Sequence, residues 1–459
     1  MQRLKNLFLP ALILVVFMGC APSQEDAGTG SFQVPVDYYT LDNGLKVILS
    51  QDKTSPTVVI AAYYNIGFRI EPRDRTGFAH LFEHMMFQGS NNLGKMEFIK
   101  LVQQNGGVLN GSTRFDFTNY FEIVPSHKLE TMLWAEADRM RGLAITQDNL
   151  TNQQGVVKNE VKVNVLNQPY GGFPWLDMPQ YANENWFNAH NFYGDLEDLD
   201  AATLEDVQSF FDTYYSPNNA AISVVGDFEV EDAKKWIQQY FGDIPSAEIP
   251  PLPDISEAPQ TAEKRFEKED KLANKPALAV AYQMPERNST AYYAMGLLDQ
   301  ILLQGDNSLL YKELVKENGY TANVGGGINY LGNMFNYKGP MLWMFNFIHD
   351  TDVEADTLLQ SIDKVVLDLK TTGVTQEMLD NAIVKIRSSL YDNLGGFFGF
   401  GRADLLCSFA LFDDNPNRIN EIESEFQKVT VADVNKTIND YLKATNRTIL
   451  TLKPLAVEN

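Results

Sequence analysis

Two histidines and a glutamate fall within five residues in the stretch "HLFEHMMFQGS", which begins at His80. His80 and His84 are four apart, so on an α-helix both rings project from one face and can converge on a single point. A metal ion fits such a pair. Zinc takes nitrogen and oxygen ligands tetrahedrally, and a catalytic zinc site commonly has three protein ligands and one position for water. His80 and His84 supply two of the three. Glu83 stands beside that face rather than on it, where a carboxylate serves as general base to the water. The order His-x-x-Glu-His is the inverse of the commoner zincin order.

The chain contains its own control for this reading. "AHLFEHMMFQGSN", from Ala79 to Asn91, aligns without gaps to "MGLLDQILLQGDN", from Met295 to Asn307. Later, "ITQDNLTNQ" from Ile145 resembles "VTQEMLDNA" from Val374, each opening a helix with a Thr cap. At the places of His80, Glu83 and His84 the second copy carries Gly296, Asp299 and Gln300, while the flanking Leu and Gln-Gly-x-Asn pattern is kept. A repeated unit thus folds without the histidines, which assigns them to chemistry rather than packing.

The elements that must position these residues belong to an α+β fold. "YTLDNGLKVI" sets Asn43-Gly44 between two strand-like runs, a hairpin signal, and "TVVIAAYYNIGF" reads as a further strand. The Pro-rich, charged segment 244–268 has no sustained apolar period and reads as a linker. The expected architecture is two homologous α/β-sandwich units, each an antiparallel-rich sheet covered by helices: 36–243 with the metal residues, and 269–459 without them.

Motif and duplication together resemble the pitrilysin family of zinc peptidases, which includes the processing peptidase of mitochondria and the insulin-degrading enzyme. The similarity extends through "LDNGLKVIL", "FDTYYSPNNAAISVVGDF" and "LLYKELVKENGY". It implies Zn²⁺ as cofactor and a third ligand on another helix, which falls at Glu160 in "VVKNEV". It also implies that "GGVLNGSTRFDFTNYFEIVP", from Gly106 to Pro125, is a strand along whose edge an extended peptide pairs, with Asn110 near the scissile carbonyl. Two features depart from the family. Gln153 stands where a second Glu is usual, so the outer shell of the site lacks a charge. In the second half, an Arg and Tyr that bind the substrate carbonyl are replaced by Val315 and Ala322, with Tyr320 two residues earlier.

Composition bounds the partners. Lys+Arg of 37 against Asp+Glu of 60 gives a net charge of −23, which repels nucleic acid and anionic lipid surfaces. Residues 1–20, "MQRLKNLFLPALILVVFMGC", join a basic start to an apolar run too short to span a bilayer, and close on Gly19-Cys20. They resemble a bacterial lipoprotein signal, with Cys20 lipidated and residues 21–35 a flexible tether. The expected location is the cell envelope, lipid-anchored and facing the periplasm or cell surface. With Cys407 the only other cysteine, a disulfide framework is excluded.

Three functions stay open on this reading. The first is a zinc endopeptidase acting on short or unfolded peptides. The second is a catalytically weak or inactive subunit that serves as assembly partner of a related chain. The third is a metal-binding protein without catalysis, for which Glu83 has no use. The resemblance implies a chamber of four such units, so a chain with two would dimerise, by preference with a homologous subunit carrying the Arg and Tyr and otherwise with itself.

Overall fold

An unbroken run of β-branched, Ala and Tyr residues builds the first sheet around β3 (Thr57–Tyr64), whose eight residues are almost all buried. Such a strand is buried on both faces and reads as a continuous apolar run. Val58, Ile60, Ala62 and Tyr64 feed one core, and Val59, Ala61 and Tyr63 feed another on the opposite face. The computed structural model describes residues 32–455; the signal-like segment and residues 21–31 of the tether lie outside the described residues.

The remaining strands of this sheet are β1 (Asp37–Thr40), β2 (Lys46–Gln51), β4 (Val108–Thr113), β5 (Thr118–Pro125) and β6 (Ala220–Gly226). Their order is β1-β2-β6-β3-β5-β4, with β2 and β6 parallel and the other pairs antiparallel. β1 and β2 are the hairpin that Asn43-Gly44 announces, joined by five residues. A second sheet holds β7 (Lys264–Asp270), β8 (Ala277–Gln283), β9 (Gly325–Ile328), β10 (Leu342–Ile348) and β11 (Arg447–Pro454), in the order β7-β11-β8-β10-β9. Again one pair, β7 with β11, is parallel, and the pairs β11-β8, β8-β10 and β10-β9 are antiparallel. The run β2-β6-β3-β5-β4 therefore recurs as β7-β11-β8-β10-β9. Within the segment read as linker, β7 already begins at Lys264.

Four helices matter for the site: α1 (Phe78–Met85), α2 (Gln147–Val161), α3 (Thr290–Leu302) and α4 (Gln376–Asp413). Thr146 and Thr375 cap α2 and α4, each hydroxyl accepting an amide of the first turn, from Asn149 at 3.3 Å and from Met378 at 3.2 Å. α4 breaks at Gly396–Gly399, where the backbone leaves the helical region. Its second part crosses to the first sheet. The thiol of Cys407 lies 3.7 Å from the carbonyl of Ala61 on β3, and Arg402 pairs with Asp52 at 3.0 Å. The apolar back of the first sheet is thus covered by a helix from the second half of the chain, inside one compact unit that starts at Val34.

Candidate metal centre

α1 is held by its start. The helix opens after Gly77, and its free amides are taken by the buried carboxylate of Glu71, from Gly77 at 2.9 Å and from Ala79 at 2.5 Å. A carboxylate there also suits the positive end of the helix dipole. Gly77 and Gly194 press together with positive φ, and a β-carbon on Gly194 would fall 2.3 Å from the amide nitrogen of Gly77. That contact brings Tyr193 to the metal face of α1. The opposite face is anchored by Phe82, stacked on Phe210 and Tyr215.

His80 is buried and His84 and Glu160 are half-buried, and their ligand atoms all lie within 4.8 Å of one another. Nε2 of His84 is 3.4 Å from Nε2 of His80 and 3.2 Å from a Glu160 oxygen, and the other Glu160 oxygen is 3.6 Å from His80. Ligands about 2.0–2.1 Å from a zinc ion sit about 3.3 Å apart along a tetrahedron edge. The His80–His84 and His84–Glu160 separations match that edge, and His80 reaches the other Glu160 oxygen at slightly more, so the residues fit the ion with a small turn of the Glu160 carboxylate. Burial, reinforced by His84, holds His80 down to about 4, which keeps it neutral with a lone pair to give. Glu160 is lowered, chiefly by its hydrogen bond with His84, and is a carboxylate. Nδ1 of His80 is buried without a hydrogen-bond partner.

Glu83 stands beside this cluster and is bonded to β4. Its Oε2 accepts from the hydroxyl of Thr113 at 2.8 Å. Burial raises its carboxyl above the usual range, opposed by the Thr113 bond and by the nearby charges of His84 and Arg114. A carboxylate with raised proton affinity beside a metal cluster suits a general base.

β4 resolves which of its residues face this chemistry. Thr113 bonds Glu83, and a β-carbon on Gly111 would lie 3.4 Å from Glu83 Cγ, so the 109-111-113 row faces α1. Asn110 lies on the other row, opposite Phe121 in register, and its side chain accepts the amide of Gly111 at 2.9 Å. The structure therefore does not bring Asn110 to the cluster. Gln153 is buried on α2, two turns before Glu160, and its amide donates to Asn152 at 2.8 Å. Sequence reasoning overlooked Thr113, Tyr193 and Glu71. Thr113 was within reach, because strand alternation from Gly111 predicts its side; the other two act through contacts distant in sequence. Tyr193 donates to Glu160 at 3.3 Å, with its ring 5.0 Å from that of His80.

In the second half, α3 repeats α1. Asp299 stands in the place of Glu83, buried and accepting from Trp343 Nε1 at 2.7 Å and from Gln304 at 3.3 Å. With Gly296 and Gln300 beside it, it lines a cavity of about 260 Å³. The two halves share a frame and differ in chemistry.

Comparison with known proteins agrees with this division. The description "Insulinase (Peptidase family M16)" matches residues 46–186, and "Peptidase M16 inactive domain" matches residues 201–385. The chain is 25% identical to the zinc protease PqqE of Helicobacter pylori over 425 residues, 90% of this chain and 92% of that protein. A crystal structure of a protease from Helicobacter pylori superposes with a TM-score of 0.84 at 25% identity, over 92% of this chain and all of that one. The periplasmic protease PqqL of Escherichia coli superposes with a TM-score of 0.72 at 16% identity, over 93% of this chain but 48% of that chain. Matched by both models of one family across well over half of its length, this chain belongs to peptidase family M16.

Proposed function

We propose that this protein is a zinc metallopeptidase that hydrolyses short or unfolded peptides. The observation that carries the reading is the convergence of His80, His84 and Glu160, their ligand atoms within 4.8 Å of one another, with Glu83 held by Thr113 of β4 beside them. Among the described residues β4 pairs only with β5, so its other edge is open to an extended peptide as a further strand. His80, His84 and Glu160 would hold zinc, which supplies a Lewis acid that polarises a carbonyl and makes water acidic. Glu83 takes a proton from the water as its oxygen bonds to the peptide carbon. The same carboxyl then passes the proton to the departing amine as the C–N bond breaks. Thr113 fixes the orientation of Glu83 throughout.

A second reading, a catalytically weak subunit that supports another chain, is favoured by Gln153, which brings no charge to α2 where the family carries one. The location that fits the N-terminal run of residues 1–20 is a lipid anchor on Cys20 facing the periplasm or the cell surface.

Zinc content and peptide hydrolysis, measured on wild type, His84→Ala and Glu83→Gln, separate these readings. Wild type is expected to carry about one zinc per chain, His84→Ala to lose it, and Glu83→Gln to keep it while losing turnover. Hydrolysis by Glu83→Gln at the wild-type rate would end the mechanism; metal without any hydrolysis by wild type would favour the second reading.

A further inference from the structure

The break in α4 exposes two aromatic side chains in a backbone conformation that such residues avoid. Phe397 and Phe398 have φ of 46° and 58°, between Gly396 and Gly399, and are 56% and 69% exposed. Left-handed backbone at two successive bulky residues costs stability and persists where the surroundings dictate it. Here the surroundings are the back of the first sheet. Phe400 stacks on Phe121 of β5 with ring centroids 3.8 Å apart, and Phe397 meets Phe121 edge-on at 5.9 Å.

Phe121 lies opposite Asn110 of β4, on the row that faces away from α1. Val108 shares that row at the open edge and is 45% exposed. An extended peptide added to β4 sends alternate side chains to opposite faces. One set looks toward Glu83 and the metal ligands. The other set looks to the face that carries Val108 on β4 and, two strands from the added peptide, Phe121 of β5 with Phe397 against it.

Resting on the proposed peptidase reading, we infer that Phe397 and Phe398, with Val108, form a surface that selects substrates with apolar side chains at the alternate positions pointing away from the metal helix. The occupant is the same peptide that the edge of β4 takes, and the aromatic pair adds a preference for apolar over polar residues. This is a role for the second half of the chain in reading what the first half cuts.

The test measures binding, independent of turnover. Fluorescence anisotropy on the zinc-loaded Glu83→Gln protein compares a short peptide alternating Phe with Thr against the same peptide with Ser for each Phe. The Phe peptide is expected to bind on the order of tenfold more tightly. The ratio is expected to fall toward one when Phe397→Gly and Phe398→Gly are added, since Gly accepts positive φ and removes both rings. Phe398→Asn, which also tolerates that backbone, is expected to lower the ratio partly and stands in if the double variant does not fold. An equal affinity for both peptides, or a ratio that survives the removal of the rings, overturns the inference. Cleavage of both peptides by wild type without preference leaves the peptidase reading intact and rejects this surface. Preference in binding with no cleavage by wild type does the reverse.

Discussion

Thr113 and Tyr193 hold different parts of one site, and their removal separates base from metal. Thr113 is buried and donates to Glu83 at 2.8 Å, so Thr113→Val keeps the packing and strips the base of its partner. Turnover is expected to fall about tenfold, with zinc content unchanged, because a misoriented base loses geometry before it loses its carboxylate. Tyr193 donates to the ligand Glu160 at 3.3 Å. Outer partners of a metal ligand typically matter about 10- to 100-fold in affinity or activity. Tyr193→Phe is accordingly expected to release zinc to a competing chelator at about tenfold lower chelator concentration. Equal zinc affinity in Tyr193→Phe would show that the phenol does not support the ligand.

At the scale of elements, α3 retains a buried acid at the place that Glu83 has on α1. Asp299 is 7% exposed, and its burial raises it from 3.8 to about 6, against the hydrogen bonds from Trp343 and Gln304. The unfolded chain gives up this proton near its ordinary value, whereas the folded chain keeps it to about pH 6. Between those values the folded state binds more protons, so stability falls as pH rises from about 4 to about 6. Asp299→Asn keeps the Oδ1 acceptor for Trp343 and Gln304 and removes the titration. Relative to wild type, the variant is expected to gain stability from pH 4 to pH 7, by about 2 kcal/mol in denaturant unfolding. A difference that does not change with pH would assign the pH dependence elsewhere.

This repeated frame was legible in the sequence, because Thr146 and Thr375 are local cap signals and the Leu and Gln-Gly-x-Asn pattern survived in both copies. The His-x-x-Glu-His spacing likewise carries its own geometry. What the sequence did not disclose depends on long-range packing. Nothing near Cys407 says that its helix covers Ala61, and nothing near Tyr193 says that Gly194 docks on Gly77. The strand row of Asn110 was not legible either, since a one-residue change of row moves a side chain to the other face.

For the whole molecule, the question is what lies across from the open edge of β4. The chain has one cluster that could hold a metal ion among its described residues, and its second half offers Gly296, Asp299 and Gln300 at the places of His80, Glu83 and His84. Val315 and Tyr320, near where the family's carbonyl-binding Arg and Tyr are expected, are partly buried against the core instead. PqqL of Escherichia coli is about twice as long as the region matched here, since this chain covers 48% of it. We propose that this chain associates with a second copy or with a related chain to enclose a peptide between them. A homodimer would supply the walls without a donor to the substrate carbonyl, and the loss of one such donor costs on the order of 10² to 10³ in rate. A related chain carrying the Arg and Tyr would restore it, although symmetric self-association is the commoner arrangement in general. We therefore expect the purified chain, at a concentration where its oligomeric state is measured by light scattering, to cleave peptides slowly. Its rate should rise about 10²-fold on adding a homologous subunit that has both residues. If the pure homodimer already turns over as fast as the mixture, the carbonyl donor comes from within this chain and no second subunit is needed.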